Sequence, residues 1–396
     1  MARRIKGEGS IFTRKDGRLV GQYFVDGKPK YVYGKTKTEV KEKLEKAIEK
    51  IKNNIDFECE KMSLNEWLDE WLNLYAKNSI KLSTLVSYDG IIHRHVANHK
   101  IGKMELSKLN TRMFQKYFNE KSVSGRMDKK EGGLSPKTIL NQYTMLHGAL
   151  EQAVVNDYIL KNPLIGVRLP RQEHKEMRVL TVDEQTKLMF LVNTTEEIGA
   201  CGINIALYTG MRLGEIIGLQ WQDVDFESKK IFVKRTLNRL KTFDENSKTA
   251  TKVVIDEPKT KNSIREIPII NPLYNLLKKQ YEFQSECAKL METKMKKDTF
   301  VVTNELLKFY EPKTYQELFG KYVNTSGIEK ANFHSLRHTF ATRCIEQGMD
   351  IVVLSKILGH ASPSTTMNKY GHALEEQKKS SMENLGDFYD GMSMGI

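Results

Sequence analysis

HSLRHTFAT, residues 334–342, sets two histidines and an arginine within five positions, ahead of small and apolar residues. As a helix it places His334 and Arg337 one turn apart on one face. A cation beside an imidazole is costly to bury without a shared partner, so the stretch asks for a ligand. Three other stretches carry polar residues of the same kind. TGMRLGEIIGLQW (209–221) puts Arg212 before an apolar helix, with Glu215 three residues on. EPKTKNSIREIPI (257–269) sets Lys259 in a turn between two strands. LGHASPSTTMNKYGHA (358–373) gives His360 after a helix-ending glycine and Tyr370 ten residues later. Taken singly, these read as well as a surface charge, a solvated hairpin tip, a buried polar helix contact and an unremarkable turn.

Taken together they make a phosphodiester site that works without metal. The charge of a phosphoryl-transfer transition state sits on its nonbridging oxygens, and guanidinium forks meet such oxygens bidentately. A tyrosine, with a pKa of about 10, is a poor nucleophile at neutral pH. A cluster of cations favours its phenolate. A leaving sugar oxygen needs a proton, which a lysine can deliver. No carboxylate cluster suited to Mg²⁺ and no Gly-rich Lys-Ser/Thr loop for ATP is evident, so neither metal nor cofactor is expected.

The 396 residues are too many for one ordinary domain. The net charge is +13, and most of the excess lies early. Residues 1–61 hold 16 Lys/Arg against 10 Asp/Glu and residues 62–170 hold 15 against 10, while the remainder is nearly balanced at 32 against 30. Such a surplus suits a polyanionic partner, though a merely soluble basic protein fits it too. Cys59, Cys201, Cys287 and Cys344 are too scattered for a metal site or a disulfide framework. Reduced thiols in a cytosolic protein are the expectation. The basic N-terminus lacks the apolar run of a signal peptide, and no stretch approaches the ~18 apolar residues of a membrane span.

GSIFTR, RLVGQYFV and KPKYVYGK, joined by Asp-Gly turns, predict three strands over residues 9–35. A helix follows, with Thr36 and Glu39 as a capping box and Val40, Leu44, Ala47, Ile48 and Ile51 at helical spacing. The sheet carries Arg14, Lys15, Arg18, Lys28 and Lys30, which suit a major groove or a solvated face. From Ser63 to about Pro163 four helices are expected, the first with Leu64, Trp67, Leu68, Trp71, Leu72 and Tyr75 on one stripe, read as core. The fourth has Pro136 in its first turn. VRLPRQEHKEMR (167–178) is a charged connector. The third region opens on a capping box, Thr181 and Glu184, and is mainly helical. Its exceptions are three strands, KIFVKRTL, TKVVIDEP and REIPII; LNRLKTFDENSKTA lies between the first two as a polar loop or extended hairpin.

The order Arg…Lys…HxxR…GH…Tyr, carried by TGMRLGEI, PKTKNSIREIPI, FHSLRHTFAT and LGHASPSTTMNKYGH, resembles the tyrosine recombinases, specifically phage and conjugative-transposon integrases. The resemblance implies a multidomain chain. A small three-stranded β-sheet plus helix (1–55) would bind arm-type DNA sites. An all-α domain (62–168) would grip the core site. A mainly α (α+β) catalytic domain with a C-terminal tail would occupy 175–396. It implies that Arg212 and Arg337 hold the scissile phosphate and that Lys259 protonates the leaving 5′ oxygen, with Lys261 as an alternative. His334 would be general base or phosphate ligand, His360 a phosphate ligand, and Glu215 a support. Tyr370 would be the nucleophile, giving a 3′-phosphotyrosine; Tyr389 falls outside the motif, and His338 is expected to pack or orient its helix. No ATP or metal is implied. Expected partners are double-stranded DNA at core and arm sites, a homotetramer assembled on DNA through the tail, an excision factor and a host DNA-bending protein. The implied location is the bacterial cytoplasm, on DNA, with no membrane. A topoisomerase-like relaxing enzyme shares the chemistry, and a silent DNA-binding regulator would share only the fold. The separate N-terminal sheet and the tail favour the recombinase.

Overall fold

The computed structural model describes residues 9–14, 17–25, 28–52, 61–128, 130–172, 177–243, 249–256 and 264–393. Two compact units divide the chain, Met1–His174 and Lys175–Ile396.

In the first unit, β1 (Ser10–Thr13), β2 (Leu19–Val25) and β3 (Lys28–Gly34) form an antiparallel sheet in that order. Helix α1 (Lys37–Lys52) buries Val40, Leu44 and Ala47 against it. The fit is close: a Cβ added to Gly21 would lie 2.8 Å from Val32 Cγ2 and 3.1 Å from Val40 Cγ1. Thr36 Oγ1 accepts from Glu39 N at 3.2 Å, as expected, but the Glu39 carboxylate reaches back to Lys35 N instead of Thr36 N. The register sets Lys28 opposite Val25 and Lys30 opposite Tyr23, on the side of the sheet that α1 covers. The open face presents Phe12, Phe24, Tyr31 and Tyr33, all exposed. The expected basic face is therefore aromatic at its centre, with exposed Arg14 and Arg18 at the β1–β2 turn. Lys15 lies outside the described residues.

Four helices follow: α2 (Leu64–Trp71), α3 (Leu82–Ile91), α4 (Thr111–Ser124) and α5 (Pro136–Val155). Ser63 and Glu66 cap α2 reciprocally. α2 and α3 each finish in a wider i→i+5 turn, closed by Lys77 N to Leu72 O at 2.9 Å and Ala97 N to Ile92 O at 2.8 Å. The aromatic stripe is core: Trp67 is fully buried, and its indole N–H donates to Ala149 O of α5 at 2.9 Å.

The second unit is mainly helical: α6 (Val182–Thr194), α7 (Cys201–Thr209), α8 (Leu213–Ile217), α9 (Asn271–Leu290), α10 (Pro312–Thr325), α11 (Phe333–Glu346), α12 (Ile351–Leu358), α13 (Pro363–Lys369) and α14 (Gly371–Ser393). Its core joins Leu188, Ile203, Ile216, Ile231, Tyr315 and Leu336. KIFVKRTL is two strands instead of one. β5 (Lys230–Val233) lies between β4 (Val224–Asp225) and β8 (Arg265–Pro268), while β6 (Thr236–Lys241) leaves that sheet to pair with β7 (Thr251–Asp256). The break falls at Arg235, whose guanidinium pairs with buried Asp223. LNRLK (237–241) is thus strand, and Thr242 N donates to Ala250 O at 3.1 Å beyond it, so the described part of 237–250 follows the extended-hairpin reading; residues 244–248 lie outside the described residues. No helix among the described residues is long and apolar enough to cross a membrane.

Candidate active site

Two glycines shape the backbone on which the site rests. Gly210 ends α7 at φ 63°, in the left-handed region, and a Cβ there would meet Phe340 Cδ1 at 2.4 Å. Gly359 ends α12 at φ 65°, with the Arg265 side chain 3.0 Å from where its Cβ would be. These caps leave the carbonyls of Gly210 and Leu358 turned toward α11, and Arg337 binds both. Its Nη1 donates to Gly210 O and its Nη2 to Leu358 O, each at 2.7 Å. Nη2 also meets His360 Nε2 at 3.0 Å. Arg337 is 2% exposed. Burial, then the charge of Arg212, pulls its pKa down to about 9.

That contact fixes the His360 tautomer. A guanidinium has no acceptor, so Nε2 must accept, and the ring hydrogen sits on Nδ1 and donates to Thr366 Oγ1 at 2.7 Å. Partial burial, with Arg337 and Lys369 next, pushes His360 down to about 3, so the ring is neutral.

Arg212 caps α8. Its backbone N and Nη1 both donate to Glu215, at 2.9 and 2.8 Å, while its guanidinium stays 40% exposed. Arg265 lies on the buried side of Glu215, giving Nη1 to Oε1 at 3.2 Å and Nη2 to Oε2 at 2.9 Å; its Nε donates to Ile357 O. Burial alone would raise the Glu215 pKa, but the charge and hydrogen bonds of Arg265, with those of Arg212, bring it down to about 2. Arg265 was not among the expected residues. It spans β8, α8 and α12, which carry parts of the site.

Tyr370 ends α13 and is 4% exposed, among Ala341, Ile345, Leu354 and Leu358. Its hydroxyl lies 3.0 Å from His338 Nδ1. Burial raises its pKa to about 12 against the pull of Arg337 and Arg212. His334 lies at the surface, edge-on to His338 at 4.6 Å between ring centroids. Desolvation, then Arg337 and Lys369, lowers its pKa. Lys369, next to Tyr370, adds a further cation that no motif reading singled out; its own pKa is lowered by desolvation and then by Arg337 and Arg212. Arg212, Glu215, His334, Arg337, His360 and Tyr370 thus share one neighbourhood. Lys259 and Lys261 lie outside the described residues. Tyr389 is exposed on α14. His338, expected to pack or orient its helix, also meets the Tyr370 hydroxyl. No group of three or more His, Cys, Asp or Glu residues that could hold a metal ion occurs among the described residues.

The profile of the phage integrase family matches residues 178–377, and that of its N-terminal SAM-like domain matches residues 63–122. The chain belongs to the phage integrase family. With membership comes the family's chemistry, the cutting and rejoining of DNA by a tyrosine recombinase. A XerC-like tyrosine recombinase of Caldanaerobacter subterraneus is 30% identical over 96% of this chain and 95% of its own length. The transposase of transposon Tn916 from Enterococcus faecalis is 25% identical over 94% of this chain and 93% of its own. Among solved structures, the fold is similar to an integrase of transposon Tn1549 in complex with a circular-intermediate DNA. That similarity has a TM-score of 0.65 at 23% identity, over 82% of this chain and 99% of the other. A lambda integrase dimer bound to a core site has a TM-score of 0.55 at 18% identity, over 93% and 97%. This phage integrase family member therefore carries the expected three-stranded N-terminal sheet with its helix, a helical region and a mainly α catalytic fold.

Proposed function

We propose that this enzyme integrates and excises a mobile element, with Tyr370 as nucleophile and a scissile phosphate held by Arg212, Arg337, His334 and His360. The observation that carries the reading is the convergence of these residues from α7–α8, α11 and the α12–α14 segment, around the buried hydroxyl of one tyrosine. Tyr370 attacks phosphorus, the phosphate forms a 3′-phosphotyrosine, and the 5′ oxygen departs with a proton from Lys259. The bond energy stays in the phosphotyrosine, so a 5′-hydroxyl from another strand reverses the step without ATP. Two such exchanges pass through a Holliday junction. Glu215 holds Arg212 and Arg265 in place.

Residues 1–55 serve arm-type sites, 62–168 the core site and 175–396 the chemistry. The tail, including α14, links neighbouring subunits into a homotetramer on DNA in the bacterial cytoplasm, with an excision factor and a host bending protein setting direction. The test is covalent trapping. The protein is mixed with labelled nicked DNA from the flanks of its own gene and run on a denaturing gel. A slow adduct lost in Tyr370→Phe is expected, and mapping its ends gives the core site. Specific binding without an adduct overturns the proposal.

A further inference from the structure

The reaction needs something to take the proton of Tyr370. The hydroxyl is buried and its pKa is raised to about 12, so at neutral pH it is a phenol. Arg212, Arg337 and Lys369 can stabilise a phenolate but have no lone pair to receive its hydrogen while charged. His360 is committed on both nitrogens, accepting from Arg337 and donating to Thr366. His334 is exposed and stands edge-on to His338, with no hydrogen bond to the Tyr370 hydroxyl among the described residues. The group 3.0 Å from the hydroxyl is His338 Nδ1.

We infer that His338 is a further catalytic residue of the cleavage step: its Nδ1 accepts the phenolic proton as the Tyr370 oxygen bonds to phosphorus. This rests on Tyr370 being the nucleophile. The tautomer follows from satisfaction of buried polar groups. If Nδ1 carried a hydrogen and donated, the phenolic hydrogen would still need an acceptor. With the hydrogen on Nε2, one bond satisfies both groups. The balance is simple. The tyrosine O–H breaks and an Nδ1–H forms; the O–P bond forms and the P–O5′ bond breaks; the 5′ oxygen takes its own proton from the lysine. His338 keeps its proton through the phosphotyrosine stage. On rejoining it returns that proton to the departing phenolate, so no outside acid or base is consumed. The groups facing it suit a transient charge beside a phosphate. They are His334 and Arg337 on α11, Lys369 on α13 and Tyr370 after it. Burial first, and then His334, Lys369 and Arg337, lower the ring's pKa to about 4, so it is neutral and able to accept until an anion enters.

The test is single-turnover adduct formation on nicked core-site DNA from pH 5.5 to 9, with the full chain, His338→Asn and His338→Ala. Asn can place an amide group near the Nδ1 position but cannot take the proton. DNA binding and melting temperature are measured on each; if His338→Ala fails either, His338→Asn carries the test. In the unaltered protein the rate should be nearly flat around pH 7. In the variants it should fall by about 100-fold or more at pH 7 and rise roughly tenfold per pH unit, as hydroxide replaces the imidazole. Rates within threefold of the unaltered protein would reduce His338 to packing. A uniform loss at every pH would make it an orienting residue only, and either result overturns the inference. Failure of the underlying reading looks different: the unaltered protein gives no adduct, or Tyr370→Phe still gives one.

Discussion

Glu215→Gln isolates the electrostatic keystone of the site. The carboxylate is 4% exposed and serves two guanidiniums, that of Arg265 through both oxygens. Two routes give the size of the loss. Removing one partner of a buried, hydrogen-bonded ion pair costs about 3–5 kcal/mol. Independently, a fall in pKa from 4.5 to about 2 corresponds to about 3 kcal/mol of stabilisation of the charged form. The sign is that of a depressed carboxyl. The stabilisation is complete above the unfolded value near 4.5 and is lost as pH falls through about 2. The catalytic unit is one of two, so a whole-chain transition would blur the effect. The suitable assay is pulsed hydrogen exchange of the intact chain across a urea series, read in peptides covering α8, β8 and α12. These peptides should lose about 3 kcal/mol at pH 7 in Glu215→Gln. Peptides from α2–α5 should not move, and the gap between the two proteins should narrow as pH is lowered from 4.5. A loss under 1 kcal/mol at pH 7 would mean that water, not Arg265, balances the carboxylate, and would refute the reasoning.

Gly210→Ala should destabilise the catalytic unit by about 2–4 kcal/mol in the same exchange assay, since it combines a left-handed φ with a clash against Phe340. Thr366→Val removes the acceptor that holds the His360 Nδ1–H; adduct formation should drop about tenfold with core-site affinity changed less than threefold, measured by trapping and by gel shift. Affinity for core-site DNA should rise as pH falls from 7 to 5. A phosphate among His334, His338 and His360 raises their lowered pKa values and couples binding to proton uptake. In the free protein the same histidines act oppositely. The unfolded chain binds their protons first, so stability falls as pH drops below about 6.5. His360→Asn should flatten the affinity slope in a pH-series titration.

Much of the fold was legible because its signals are local. Asp-Gly turns marked β1–β3, and the capping box at Thr181 marked a helix start. The Leu64–Trp67–Leu68–Trp71 spacing marked a buried stripe. The candidate site residues stood out as an ordered set of motifs, and the structure brings the described ones into one neighbourhood. Arg265 was missed because its partner Glu215 lies 50 positions away. A signal was available: Ile267 and Ile269 are both buried, and strand alternation places Arg265 on the same face. The split of KIFVKRTL was hidden because nothing local reveals that Arg235 pairs with Asp223. His338 was read for its helix alone, since its contact with Tyr370 spans 32 positions and depends on where α13 ends.

The cation cluster is arranged to be incomplete. Arg337 spends three of its N–H bonds on Gly210 O, Leu358 O and His360, which locks its plane before DNA arrives. That ordering cost is met in folding, so a phosphate encounters a fixed fork. Glu215 offsets two arginines from the buried side, yet Arg212 keeps its guanidinium partly exposed. Arg337 and Lys369 retain charges that desolvation and their neighbours oppose. Among the described residues, Glu215 is the carboxylate that bears on this group, and it is fully engaged by hydrogen bonds. On the proposed reading, a DNA phosphate bound here supplies the missing negative charge, relieves the mutual repulsion of the cations and raises the proton affinity of the histidines around it. The resulting gain is largest where charge grows on the nonbridging oxygens, at the transition state. Under that proposal, the same repulsion that makes the free site costly becomes selectivity for the reacting phosphate.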